Sequence, residues 1–200
     1  MNPAPLRLPG GVEVPRRAIA AAAPLDAAGW WPEARRIVSP NCDARAPEGL
    51  VDVIVVHAIS LPPEQFGGGA IEALFTNQLD PAAHPYYAGI AHLRVSAHFL
   101  IRRDGEVIQF VPAGLRAWHA GVSQWQGRER CNDFSLGIEL EGSDHQPFES
   151  AQYAQLARLI GVLAQACPIA DVVGHSDVSP GRKTDPGPFF DWARLASLLA

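Results

Sequence analysis

The chain has 200 residues, 48% of them hydrophobic, which is enough to bury a core without disulfide or metal staples. Sixteen basic against 21 acidic residues leave a net charge of −5, which argues against a nucleic-acid binder because phosphate neutralisation needs a basic face. Three widely spaced cysteines, Cys42, Cys131 and Cys167, include no C-x-x-C pair, so no disulfide framework is expected and a reducing compartment is.

Residues 1–28 carry prolines at 3, 5, 9, 15 and 24 with short alanine-rich runs between them, and no sustained period. They are expected to form a flexible appendage before a single folded domain over 29–200. The stretch Ala18–Pro24 lacks the leucine or phenylalanine core of an export signal. Nothing in it approaches the ~20 apolar residues of a membrane span, so a cytoplasmic protein without a membrane partner is expected.

From Trp30-Trp31 the pattern becomes that of a folded domain. The β-branched run Val51–Val56 predicts a buried central strand ending at His57. Ile71, Leu74 and Phe75 then recur at helical spacing behind Gly67-Gly68-Gly69. His98–Arg102 and Val107–Val111 flank an Asp104-Gly105 pair, a hairpin signal. Ser135–Glu141 alternates, with Leu136, Ile138 and Leu140 on one face and Gly137, Glu139 and Glu141 on the other, which predicts a strand half in the core. Ser150 reads as the N-cap of a helix striped by Tyr153, Leu156, Leu159, Ile160 and Leu163 and closed by Pro168. Ala170–Val173 predicts a second buried strand just before His175, and Asp191–Leu199 a capped amphipathic helix. Strands interspersed with helices imply an α/β domain with a mixed central sheet and flanking helices.

His57 and His175 each follow a predicted strand, the end at which open α/β sheets gather ligands. Asp185 lies in Arg182-Lys183-Thr184-Asp185-Pro186-Gly187-Pro188, a loop held out of helix by its prolines and glycine. Two imidazoles and a carboxylate leave a tetrahedral ion one open position, the arrangement of a hydrolytic zinc site. The spacing matches no local motif, and by spacing alone each histidine fits a hydrogen-bonded structural role and Asp185 an Asx-turn. Glu139 and Glu141 share one strand face; either a solvated face or a general base fits that pattern, and periodicity does not choose between them. Lys183, two residues from Asp185, could stabilise an oxyanion or be a surface lysine. Trp118-His119-Ala120-Gly121, Trp125 and Arg128–Arg130 form an aromatic and cationic loop, able to stack a sugar or peptide or simply to staple itself down. His84, His92, His98 and His145 read as structural or exposed.

Several strings resemble the AmpD family of cytoplasmic 1,6-anhydro-N-acetylmuramyl-L-alanine amidases of Gram-negative cell-wall recycling. They are Val55–His57 with Ile59–Pro63, Ile90–His98, Leu100–Glu106, Ala117–Ser135, Gly137–Gly142, Gly174-His175, Arg182–Pro188 and Asp191–Arg194. The resemblance spans about residues 29–198. It implies the fold shared by zinc amidases and peptidoglycan recognition proteins, with Zn2+ held by His57, His175 and Asp185. It further implies Glu139 as the catalytic glutamate, Lys183 as the catalytic lysine, and Arg94, Trp118 and Arg130 in contact with substrate. The implied partner is an anhydromuropeptide, cut at the amide between muramic acid and L-alanine, with no obligate protein partner. Such relatives usually carry asparagine after the first histidine, where this chain has Ala58. The alternatives are a recognition module on the same scaffold that binds without cutting, and an amidase acting on intact wall.

Overall fold

Two seven-residue strands lie side by side and parallel at the centre of an eight-stranded mixed sheet in the computed structural model, which describes residues 4–15, 22–46 and 49–200. In chain order the strands are β1 (Leu6–Leu8), β2 (Val12–Val14), β3 (Arg35–Arg36), β4 (Cys42–Ala44), β5 (Val53–Ile59), β6 (Phe99–Ile101), β7 (Val107–Gln109), β8 (Leu115–Ala117), β9 (Gln124–Trp125), β10 (Arg128–Glu129), β11 (Ser135–Glu141) and β12 (Asp171–Gly174). The helices are α1 (Ala70–Phe75), α2 (Pro85–Ala88), α3 (Ser150–Ala166), α4 (His175–Val178) and α5 (Trp192–Leu199). The main sheet runs β2-β1-β12-β5-β11-β6-β7-β3, while β9 pairs with β10 and β4 with β8. This is the expected α/β architecture.

The period of two sorts the central strands into two faces. Ile54, Val56, Leu136, Ile138, Leu140 and Val172 pack against α3 and α5 through Leu156, Leu159, Ile160, Leu163, Leu195 and Leu199. The opposite residues, Val53, Val55 and Val173, meet Ala120, Cys131, Phe134 and Val178, so the connection leading into β11 roofs the other side. All of β11 is therefore buried, including Glu139 and Glu141, which rules out a solvated strand face. Glu141 is consumed by structure: Arg102 donates to it at 2.9 Å, and the Gly67 amide at 2.6 Å.

Several boundaries differ from the sequence reading, and three differences matter most. His57 lies inside β5, which continues to Ile59. Ser150 is the first helical residue of α3; its N-cap is Glu149, in a capping box with Gln152. The N-terminal stretch departs most. Within the expected appendage, β1 pairs in parallel with β12 and β2 closes a hairpin back onto β1. Leu6, Leu8 and Val14 are buried in the main core, and Arg7 donates to both oxygens of the buried Asp171 at 2.7 and 2.8 Å. Leu-x-Leu and Val-x-Val around Pro9-Gly10-Gly11 form a strand–turn–strand signal too short to stand out among the prolines. Most of the Ala18–Pro24 stretch lies outside the described residues. Among those described, no helix is long and apolar enough to cross a membrane.

Candidate metal and catalytic centre

The register of three parallel strands builds the site. Glu139 on β11 sits opposite His57 on β5, and β12 runs along the other side of β5, with Gly174 opposite Val56. His175, the next residue, is delivered beside His57 as β12 passes into α4, whose start is fixed by Asp177 accepting the Gly174 amide at 2.7 Å. Asp185 returns on the following loop, where its carbonyl accepts the Ser176 amide at 2.9 Å. The loop then turns at Gly187, which has φ +88° and no room for a Cβ, since one would lie 2.3 Å from Asp144 Oδ1.

Three ligand atoms converge there. His57 Nδ1 and His175 Nδ1 are 2.9 Å apart, and Asp185 Oδ2 lies 3.2 Å from the first and 3.0 Å from the second. Among the described residues, these form a group able to hold one metal ion. Each imidazole is braced at its far nitrogen. His175 Nε2 is 3.1 Å from the Ala120 carbonyl, and His57 Nε2 is 2.9 Å from His119 Nδ1. A carbonyl only accepts, so His175 carries its proton on Nε2 and offers the Nδ1 lone pair to the centre. Burial pushes the His57 pKa down to about 4, which keeps its lone pair free at neutral pH. Burial works to raise the Asp185 pKa, but the flanking His175 and His57 side chains hold it well below the usual carboxylate range.

The three residues open into a cavity of about 310 Å³. Glu139, Lys183 and His119 line it on the chemical side; Ile59, Leu74, Tyr86, Ile90, Leu93, Val95 and Trp118 form apolar walls. Ala58 also lines it and offers only a methyl group. Among the described residues, Glu139 Oε2 is buried with no hydrogen-bond partner. Burial first, and then the Asp185 charge, push the Glu139 pKa well above the ordinary value, while Lys183 pulls it down. A carboxyl poised this way can both take and return a proton.

The predicted residues His57, His175, Asp185, Glu139, Lys183 and Trp118 thus meet in one cavity. Arg94 and Arg130 are not among its lining residues. Arg94 is exposed, bonded to the His92 and Leu93 carbonyls, and Arg130 pairs with Asp133 at 3.2 Å. The rest of the aromatic loop is stapled down: Trp125 Nε1 donates to Asp171 and Arg128 stacks over Phe134. His119 had no signal beyond its place in that loop.

The family model described as N-acetylmuramoyl-L-alanine amidase matches residues 47–188. The 1,6-anhydro-N-acetylmuramyl-L-alanine amidase AmpD of Citrobacter freundii is 59% identical over 173 residues, covering 86% of this chain and 92% of its own. A crystal structure of an AmpD selenomethionine derivative superposes with TM-score 0.86 at 58% identity, covering 89% of this chain and all of that one. The Escherichia coli amidase AmiD, solved with the substrate anhydro-N-acetylmuramic acid-L-Ala-D-γ-Glu-L-Lys, superposes with TM-score 0.56 at 31% identity, covering 77% of this chain and 60% of that one. On its sequence and its fold, the chain belongs to the N-acetylmuramoyl-L-alanine amidase family.

Proposed function

We propose that the protein is a zinc-dependent amidase that cuts anhydromuropeptides between anhydromuramic acid and L-alanine in cytoplasmic wall recycling. The observation that carries this is the convergence of His57, His175 and Asp185 beside a buried carboxylate, Glu139, whose Oε2 has no partner among the described residues. The donor set fits zinc. At Zn–ligand distances of about 2.0–2.2 Å a tetrahedron has edges of roughly 3.3–3.5 Å, so separations of 2.9–3.2 Å need open by only a few tenths.

When bound, zinc supplies Lewis acidity, polarising the amide carbonyl and acidifying water. The chain's residues do the rest. Glu139 takes a proton from the attacking water, whose oxygen bonds to the carbonyl carbon. The Lys183 ammonium stabilises the negative charge gathering on the carbonyl oxygen. Glu139 then gives its proton to the departing amide nitrogen, so the C–N bond breaks to leave a carboxylic acid and a neutral amine, and the acid's proton passes to the amine to give a carboxylate and an ammonium. Trp118 and the apolar wall hold the muramyl and peptide portions, and Arg94 and Arg130, outside the cavity lining, suit the charged stem peptide once it extends beyond the cavity. Ala58 forgoes a substrate hydrogen bond, which weakens binding rather than chemistry.

The test is release of free stem peptide from soluble anhydromuropeptide and from insoluble sacculi. Release from the first that chelation stops and zinc restores is expected. Substrate binding without release at any zinc level would replace the proposal with a recognition module, and a preference for sacculi would replace it with a wall-acting amidase.

A further inference from the structure

We infer that His119 is a positioning residue for His57, the middle member of a hydrogen-bonded relay that runs through Ser135 and ends on the Cys131 carbonyl. The inference rests on the reading of His57 as a metal ligand. A ligating Nδ1 carries no proton, so the His57 proton is on Nε2. That nitrogen lies 2.9 Å from His119 Nδ1, which must then accept. The His119 proton is thereby assigned to its own Nε2, 3.3 Å from Ser135 Oγ, and the Ser135 hydroxyl donates to the Cys131 carbonyl at 2.6 Å. Each member has one donor and one acceptor in use, and the relay stops at a group that can only accept. Its direction follows from the ligand end.

The backbone makes room for this ring. A Cβ at Gly137 would stand 2.4 Å from His119 Cγ, so the ring occupies the space β11 leaves by having no side chain there. One face of β11 accordingly presents Ser135, Gly137 and Glu139: the relay's acceptor, the seat of its ring, and the carboxylate whose Oε2 has no partner among the described residues. The His57 and His119 rings cross at 88° with centroids 5.0 Å apart, close to the separation of two imidazoles joined nitrogen to nitrogen at 2.9 Å. His175 needs no such device, because the Ala120 carbonyl already faces it.

The experiment measures zinc affinity by competition with a chromophoric chelator for the unaltered protein, His119→Ala, His119→Asn and Ser135→Ala. It adds 15N spectra of the imidazoles in the zinc-loaded unaltered protein. Loss of a partner behind a ligand weakens metal binding by about 10–100-fold, and that is expected for His119→Ala. His119→Asn, which keeps an acceptor oxygen near the place of Nδ1, should stay within a few-fold of the unaltered protein. Ser135→Ala, which leaves the ring seated, should fall between the two. The spectra should show His119 protonated on Nε2 alone. Unchanged affinity in His119→Ala, an equal loss in His119→Asn, or a proton on His119 Nδ1 would each overturn the relay. Should His119→Ala not fold, Ser135→Ala and the spectra decide. Absence of zinc binding by the unaltered protein would instead refute the metal site itself, an outcome distinct from normal binding with unaffected variants.

Discussion

Glu139 and His57 occupy opposed positions on adjacent parallel strands, β11 and β5, so the sheet's register alone holds the proposed base beside the candidate metal-ligand cluster. No flexible loop sets that distance. A one-residue slip between the strands would turn Glu139 into the α3 side of the core. The same register puts Glu141, two residues on, opposite Ile59 and against Arg102, which separates two glutamates that sequence periodicity left equivalent.

Glu139→Gln should lower turnover by about 10²–10⁴-fold, the usual share of general acid–base catalysis, with zinc content unchanged. The measurement is steady-state peptide release alongside metal analysis of the same preparation.

Lys183→Met should act on kcat more than on KM. Removing a donor to a developing oxyanion costs roughly 10²–10³ in kcat, whereas a lysine that only attracts the substrate would show its loss in KM.

His98 makes a stability prediction. It is buried, its Nδ1 accepts the Gly137 amide at 3.0 Å, and burial pushes its pKa from 6.5 down to about 3. Below pH 6.5 the unfolded chain takes a proton there that the folded chain refuses until about pH 3. Its contribution is therefore complete above pH 6.5 and is lost as pH falls, at up to about 1.4 kcal/mol per pH unit. Denaturant unfolding followed from neutral pH to about pH 4 should give a shallower slope for His98→Gln, by up to one proton.

Arg7→Ala should loosen the N-terminal hairpin and cost about 1–3 kcal/mol, because the buried Asp171 keeps Trp125 and Gln126 but loses its two charged donors. Faster amide exchange confined to residues 4–15 would confirm that β1 is held from β12. Exchange unchanged from the parent would show that Leu6 and Leu8 suffice.

Long strands and the amphipathic helices were legible because each has a period that its burial enforces: Ser135–Glu141 has the same bounds in the sequence and in the structure. The hairpin at Leu6–Val14 was not, since three-residue strands complete less than two periods and are stabilised by a sheet edge far away in sequence. The proposed ligand residues were visible as strand-end histidines and a rigid aspartate loop, yet their convergence is a property of strand order, β12-β5-β11, which no local pattern encodes. His119 was invisible for the same reason. Its role depends on an absent side chain at Gly137, on a strand that follows it in sequence.

The most direct test of the account is metal analysis coupled to hydrolysis of anhydromuramyl peptide, with His57→Ala as the control. One zinc per chain, with metal and peptide release lost together in His57→Ala and after chelation, is the predicted result. Full peptide release from a protein stripped of metal, or from His57→Ala, would contradict it.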